Sequence, residues 1–358
     1  MSRNDETAVA ETTMRIDNDP KLDFDDVLIR PKRSEAPSRS DVGLEREYRF
    51  LNSARTWRGI PLVASNMDTI GTLEMARALA GPGMLTCLHK YHSESQLAGF
   101  LPQGDHRDHA FVTIGIRDED FDQLARLVQH TDVRYVCVDA ANGYTKFFVD
   151  RVKRVRDTFP SLTILAGNVA TPEMVQELLI SGAADIVKIG IGPGSVCATR
   201  TTTGVGYPQL SAIIECADAA HGLRGHVCAD GGCRVPGDVV KAFAAGADFV
   251  MLGGMLAGHD ECDGTWIEQD GQRVAMPFYG MASRTAMERY AGGIKDYRAC
   301  EGKEVAVAYR GPVKDTLREI LGGIRSACAY VGAGQLKELC KCTTFVLCRR
   351  THNRVFDA

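Results

Sequence analysis

Eight short apolar runs recur along the chain at a spacing that leaves few folds open. They lie at 60–64, 84–88, 111–114, 135–138, 163–166, 186–189, 226–229 and 249–252, and most begin roughly 23–28 residues after the one before. That is the length of one strand-plus-helix unit, and continuous rather than alternating apolar runs mark strands buried on both faces of a parallel sheet. Amphipathic stretches between them fit helices, clearest at 147–159, 172–181, 210–220 and 236–245. The second of these opens with Thr171 as N-cap and Pro172 at the first helical position. Eight such units predict an α/β fold of the (β/α)8 TIM-barrel type. A doubly wound open sheet is the competing arrangement.

Residues 1–20 are polar, carry no apolar signal segment, and read as a flexible tail. From 21 to 31 an ordered arm is expected, because the apolar residues are interrupted and Pro31 blocks a helix. Residues 21–358 are then one catalytic barrel domain. After the eighth strand the pattern breaks: 257–311 exceeds an ordinary connection and reads as a flap over the barrel mouth. A helix at 317–331 and a C-terminal tail at 336–358, with apolar Phe345-Val346-Leu347, complete the chain.

Composition narrows the function classes. Hydrophobic content of 44% and charged content of 25% are those of a soluble globular protein, and no apolar run approaches the ~18 residues of a membrane span. A cytoplasmic location is expected, with the twelve cysteines as reduced thiols rather than a disulfide framework. A net charge of −4 gives no global reason to bind nucleic acid, and the short cluster Arg30-Pro31-Lys32-Arg33 reads as a solvated strand end. Cys340-Lys341-Cys342 lacks the spacing of a structural zinc site.

A barrel of this kind places its chemistry just after the strands' C-terminal ends. Asn66 and Asp68, Lys90, Asp139 and Asn142, Gly167 and Asn168, the loop 190–200, Asp230-Gly231-Gly232, and Gly253-Gly254 all stand there. Cys197, in the loop after the sixth strand, is the candidate nucleophile. A cysteine is by default a small buried hydrophobe, but a thiol among glycines and hydroxyls, followed by Arg200, has a setting that favours thiolate. Backbone N–H groups after strands seven and eight commonly hold phosphate. Asp230 would repel phosphate and better suits ribose hydroxyls, so the expected substrate is a nucleotide or sugar phosphate. Glu301, between Arg298 and Lys303, reads on its own as a surface carboxylate.

Taken together, Leu22-Asp23-Phe24-Asp25-Asp26-Val27-Leu28, Ser65-Asn66-Met67-Asp68-Thr69, His89-Lys90, Asp139-Ala140-Ala141-Asn142-Gly143, Ala166-Gly167-Asn168-Val169, the loop 192–197 and Glu301-Gly302-Lys303 are specific. From about residue 21 onward the chain resembles the GMP reductases of the IMP dehydrogenase/GMP reductase superfamily. The resemblance implies NADPH-dependent reductive deamination of GMP to IMP and ammonia, in purine interconversion and salvage. Cys197 would attack purine C2 to give a covalent thioimidate, which hydride then reduces, while Thr199 and Glu301 manage the proton needed by the departing ammonia.

The resemblance further implies nucleotide contacts at Asp230, Gly231, Gly232, Gly253, Gly254, Gly280, Met281, Ala282, Arg298, Glu301 and Gly302. Cofactor contacts carry over to Lys90, Asp139, Ala140, Ala141, Tyr297 and Arg298 and, from a neighbouring subunit, to Ser38 and Arg39. A monovalent cation, K+, would be held in the cysteine loop by Gly192, Gly194, Cys197 and Arg200, and the assembly would be a homotetramer. Ala198 and Ala282 stand where relatives usually carry Thr and Ser, removing two hydroxyl contacts. The alternatives are IMP dehydrogenase, whose regulatory insertion has no room in the short 88–111 segment and whose flap lacks the glutamate, and a catalytically silent nucleotide-binding regulator, which would have lost Cys197, Thr199 or Glu301.

Overall fold

Strands with two apolar faces bury both only if helices cover one side and the strands' own side chains fill the other, which a closed barrel achieves. In the computed structural model, which describes residues 15–34 and 38–349, the eight runs do this. Leu62–Ala64, Leu85–Leu88, Ala110–Ile114, Tyr135–Asp139, Thr163–Val169, Ile186–Ile189, His226–Asp230 and Phe249–Leu252 lie parallel in sequence order, and the eighth closes on the first with Val250 opposite Leu62. The first strand begins two residues later than its apolar run, because Pro61 has no N–H for the ladder.

Helices Lys146–Thr158, Pro172–Ile180, Gln209–Gly222, Pro236–Ala244 and Val313–Val331 lie on the outside. Thr171 does occupy the N-cap position of the second, but its hydroxyl makes no capping bond; it accepts from the Tyr144 hydroxyl at 3.2 Å. The last helix starts four residues earlier than its apolar pattern, where the Val313 amide finds the Glu261 carboxylate at 2.9 Å.

The barrel interior is filled by Val63, Leu85, Cys87, Phe111, Tyr135, Leu165, Ile186, Cys228, Phe249 and Met251. A hairpin that the repeat pattern does not reveal, Arg46–Arg49 paired with Thr56–Gly59, adds Tyr48, Phe50 and Trp57 to the same cluster. The Tyr48 ring sits 4.5 Å from that of Phe249, at the N-terminal end of the eighth strand. Buried Asp185 anchors the hairpin's turn, accepting from the Asn52 and Ser53 amides at 3.0 and 3.1 Å and from Arg156 at 2.6 Å. The N-terminal mouth is thereby plugged, which leaves the C-terminal mouth for a ligand.

The terminal segments are tied together. Val27–Ile29 pairs antiparallel with Phe345–Leu347, so the apolar stretch expected in a tail is a strand, and Lys241 Nζ holds the Phe24 carbonyl at 2.8 Å. Most of the tail expected at 1–20, and the last residues of the one expected at 336–358, lie outside the described residues. The long segment after the eighth strand is a built unit: Ile267–Gln269, Gln272–Tyr279 and Glu304–Ala308 form an antiparallel sheet, with helix Arg284–Tyr290 beside it. Among the described residues no helix is long and apolar enough to cross a membrane.

Because Phe249 joins the plug to the interior, Phe249→Ala leaves a cavity between them. We expect a loss of about 3–5 kcal/mol, read as a lower midpoint in urea unfolding.

Candidate active site

A cavity of about 410 Å³ opens at the C-terminal ends of the strands. Its wall takes Ser65 and Asn66 from the first strand's loop, Lys90 from the second, Asp139, Ala140 and Ala141 from the fourth, and Asn168 from the fifth. The loop 190–197 follows the sixth, Asp230, Gly231 and Gly232 the seventh, and Gly253 and Gly254 the eighth. The inserted segment closes one side with Gly280, Met281, Ala282, Arg298 and Glu301.

At this wall Cys197 is half-buried and its thiol donates to Thr199 Oγ1 at 3.3 Å; the Thr199 hydroxyl donates in turn to Glu301 Oε2 at 2.8 Å. Thiol, hydroxyl and carboxylate thus form a continuous proton path. Glu301 is drawn off the surface by backbone pairing: its carbonyl accepts from the Ala198 amide at 2.7 Å, its amide reaches the Ala282 carbonyl at 3.0 Å, and the Lys303 amide reaches the Val196 carbonyl at 2.9 Å. The chains approach so closely that a Cβ on Gly302 would lie 2.7 Å from the Ser283 nitrogen, and one on Gly280 2.8 Å from the Val196 oxygen. Other cysteines differ in setting: Cys87 and Cys228 lie in the barrel interior, where burial pushes their thiols well above the ordinary range.

The sequence pattern belongs to a known family. The model of the IMP dehydrogenase / GMP reductase domain matches residues 21–354. GMP reductase of Klebsiella pneumoniae subsp. pneumoniae is 57% identical over 349 residues, covering 96% of this chain and 100% of that protein. GMP reductase of Salmonella typhi is 56% identical over 348 residues, with 96% and 100% covered. The chain belongs to the IMP dehydrogenase / GMP reductase family. A solved structure of a cysteine-to-alanine variant of GMP reductase from Trypanosoma brucei, in complex with guanosine 5'-monophosphate, superposes with a TM-score of 0.81 at 27% identity, covering 92% of this chain and 95% of that one.

Not every residue expected at the site lines the cavity. Gly302 is spent on the backbone bridge to Cys197. Tyr297 is 88% exposed, Ser38 accepts from the Ser40 amide, and Arg39 lies over the Tyr330 ring; none of the three lines the cavity of its own chain. Asn142 caps the Tyr144 amide at 3.0 Å. Asp68, only 4% exposed, faces the inserted segment instead, accepting from the Tyr279 and Tyr290 hydroxyls at 2.7 and 2.8 Å.

A monovalent cation in the cysteine loop would call for converging backbone oxygens, a donor set that suits a hard ion. Gly192, at φ 83°, turns the loop in a way a side chain would resist, and the Gly194 carbonyl curls back to the Cys197 amide at 3.1 Å. The loop 190–197 offers carbonyl oxygens and no carboxylate, the donor chemistry that a weakly held hard ion accepts. The Arg200 guanidinium holds Asp23 and the Tyr207 carbonyl, and the Arg200 carbonyl, like that of Gly194, accepts one backbone amide, from Gly204.

One residue at the cavity escaped the sequence reading. Lys188 is 2% exposed, and its ammonium lies 2.9 Å from Asp139 and 2.8 Å from Asp230; Asn168 also donates to Asp230 at 2.9 Å. Its signal was a lone charge in the apolar strand Ile186-Val187-Lys188-Ile189. Burial pulls the lysine's pKa down, but Asp139 and then Asp230 outweigh it and hold it well above the ordinary value. Burial likewise raises Asp139, yet Lys188 and Lys90 keep it below the usual carboxylate range.

Lys188→Met would leave two carboxylates facing each other without their cation, and we expect it to cost about 3–5 kcal/mol at neutral pH. A depressed Asp139 stabilises above about pH 4 and loses its contribution as pH falls through the folded pKa; a raised Lys188 stabilises below about pH 10 and loses it as pH rises. The stability difference from the native protein should therefore be widest between those limits and narrow on either side, measured by denaturant titration across pH.

Proposed function

We propose that the protein is a GMP reductase: it converts GMP to IMP and ammonia at the expense of NADPH, through a covalent thioimidate on Cys197. The observation that carries this reading is the Cys197–Thr199–Glu301 hydrogen-bonded line at the wall of the cavity of about 410 Å³. Thiolate is the nucleophile and thiol is not, and the line offers the Cys197 proton a route to Glu301. Attack on C2 forms the S–C2 bond; the C2–N bond then breaks, with the amine leaving as ammonia once protonated. An amino group is a poor leaving group without that proton, and Glu301 acting through Thr199 can return it. Hydride addition at C2 then releases the thiolate and IMP.

Asp230 would take the ribose, with Gly231, Gly232, Gly253 and Gly254 around the phosphate, and Gly280, Met281, Ala282 and Arg298 over the purine side. Ala282 and Ala198 offer no hydroxyl to the nucleotide, so binding rests on backbone groups there. Lys90, Asp139, Ala140 and Ala141 share the same cavity and would hold the cofactor, which supplies the hydride when bound. K+ in the loop of Gly192, Gly194 and Cys197 would keep the nucleophile in place. The working form is a cytoplasmic homotetramer, in which Ser38 and Arg39 of a neighbouring subunit complete the cofactor site; this accounts for their not lining the cavity of their own chain. The role is in purine interconversion and salvage.

The direct test follows nicotinamide absorbance with GMP plus NADPH and, separately, with IMP plus NAD. Consumption of NADPH with release of ammonia is expected; turnover only of IMP with NAD would overturn the reading. Cys197→Ala is expected to retain GMP binding while losing turnover at least about 10³-fold. Glu301→Gln should lower GMP reduction about 10²–10⁴-fold while sparing hydride transfer from IMP to oxidised cofactor, a step that needs no ammonia. Equal loss in both half-reactions would assign Glu301 to binding or closure instead.

A further inference from the structure

At the plugged end of the barrel lies a second hollow, of about 470 Å³. The plug hairpin contributes Arg46 and Arg49, the turn before the seventh strand Arg224, and the C-terminal segment Lys337 and Lys341, around Asp248. Asp248 is already compensated. His221 Nε2 stands 2.8 Å from its carboxylate, Arg46 3.4 Å and His226 Nδ1 3.5 Å; the Val227 amide donates at 3.1 Å. That leaves Arg49, Arg224, Lys337 and Lys341, all exposed, with no ion-pair partner among the described residues.

Acidic residues outnumber basic ones in this chain, 46 to 42, so four unpaired cations on one concavity run against its overall charge. Left empty, they repel one another. Arg224 also stands at φ 59°, a left-handed backbone that residues with a Cβ rarely adopt and that glycine adopts without cost. A side chain kept there against its backbone preference places a guanidinium at the rim.

We propose that this hollow binds an oligophosphate, a di- or triphosphate chain either free or carried on a nucleotide. Guanidinium forks pair with phosphate oxygens two at a time and ammonium groups act as point charges; four cations match the roughly three to four negative charges of a triphosphate. The site is separate from the first cavity and independent of the reaction assigned to it.

Isothermal titration calorimetry at about 0.15 M salt tests this with inorganic tripolyphosphate, in the presence of GMP so that the first cavity is occupied on the reading above. Saturable binding is expected, weakened at least about tenfold by Arg224→Ala and by Lys341→Ala and unchanged by Arg318→Ala, which lies elsewhere on the surface. The substitutions locate the site whether or not GMP binds, and unchanged melting temperatures verify that the variants fold. Guanosine or adenosine triphosphate titrated in the same way identifies the source: tighter binding than tripolyphosphate points to a nucleotide, equal binding to the phosphate chain alone. Absence of binding, binding untouched by the two hollow variants, an equal effect of Arg318→Ala, or orthophosphate binding as tightly as tripolyphosphate would each overturn the proposal.

Discussion

The pairing of the eighth strand with the first is the constraint on which everything else hangs. Once Val250 lies opposite Leu62, all eight strands point the same way round a closed ring, and every segment leaving a strand's C-terminal end must emerge on one rim. Groups as far apart in sequence as Ser65, Asp139, Cys197 and Gly254 then share one cavity wall without any of them having sought the others. The hairpin beneath makes the arrangement one-sided. With Tyr48, Phe50 and Trp57 filling the other mouth, the barrel has a floor.

Electrostatics finishes what topology begins. A lysine in a barrel interior is expensive to desolvate, and it is tolerated here because two carboxylates reach it, Asp230 from the adjacent strand and Asp139 from the strand beyond the other neighbour. The exchange works in both directions: the ammonium keeps Asp139 below the usual carboxylate range and holds both carboxylates in place at the cavity's base. Because one ammonium serves Asp139 and Asp230 together, the halves of the cavity proposed for cofactor and nucleotide share a single electrostatic support.

How much of this was legible in the sequence follows from what each element buries. Strands buried on both faces leave uninterrupted apolar runs, so the barrel and its rim could be read directly, with boundaries displaced by two residues at Pro61, by three at the end of Thr163–Val169 and by at most one elsewhere. The hairpin of 46–49 and 56–59 gave no such run, since Arg46, Glu47, Arg49 and Arg58 alternate with the aromatic residues that enter the barrel. Lys188 was hidden because its partners lie 49 and 42 residues away and only the ring brings them together. Glu301 is the converse case: flanked by Arg298 and Lys303 it looks like surface, and only the strand-like contact with the cysteine loop turns it inward.

That contact joins two parts of the chain 102 residues apart along a single seam of backbone hydrogen bonds. Cys197 lies on one edge of the seam and Glu301 on the other. A displacement of the inserted segment that parts this seam would also break the hydrogen bond from Thr199 to Glu301. The proposed nucleophile and proton acceptor therefore stand in line only while the seam is closed. With the seam parted, the Cys197 thiol would keep only the Thr199 hydroxyl beside it, without the carboxylate to which that hydroxyl donates.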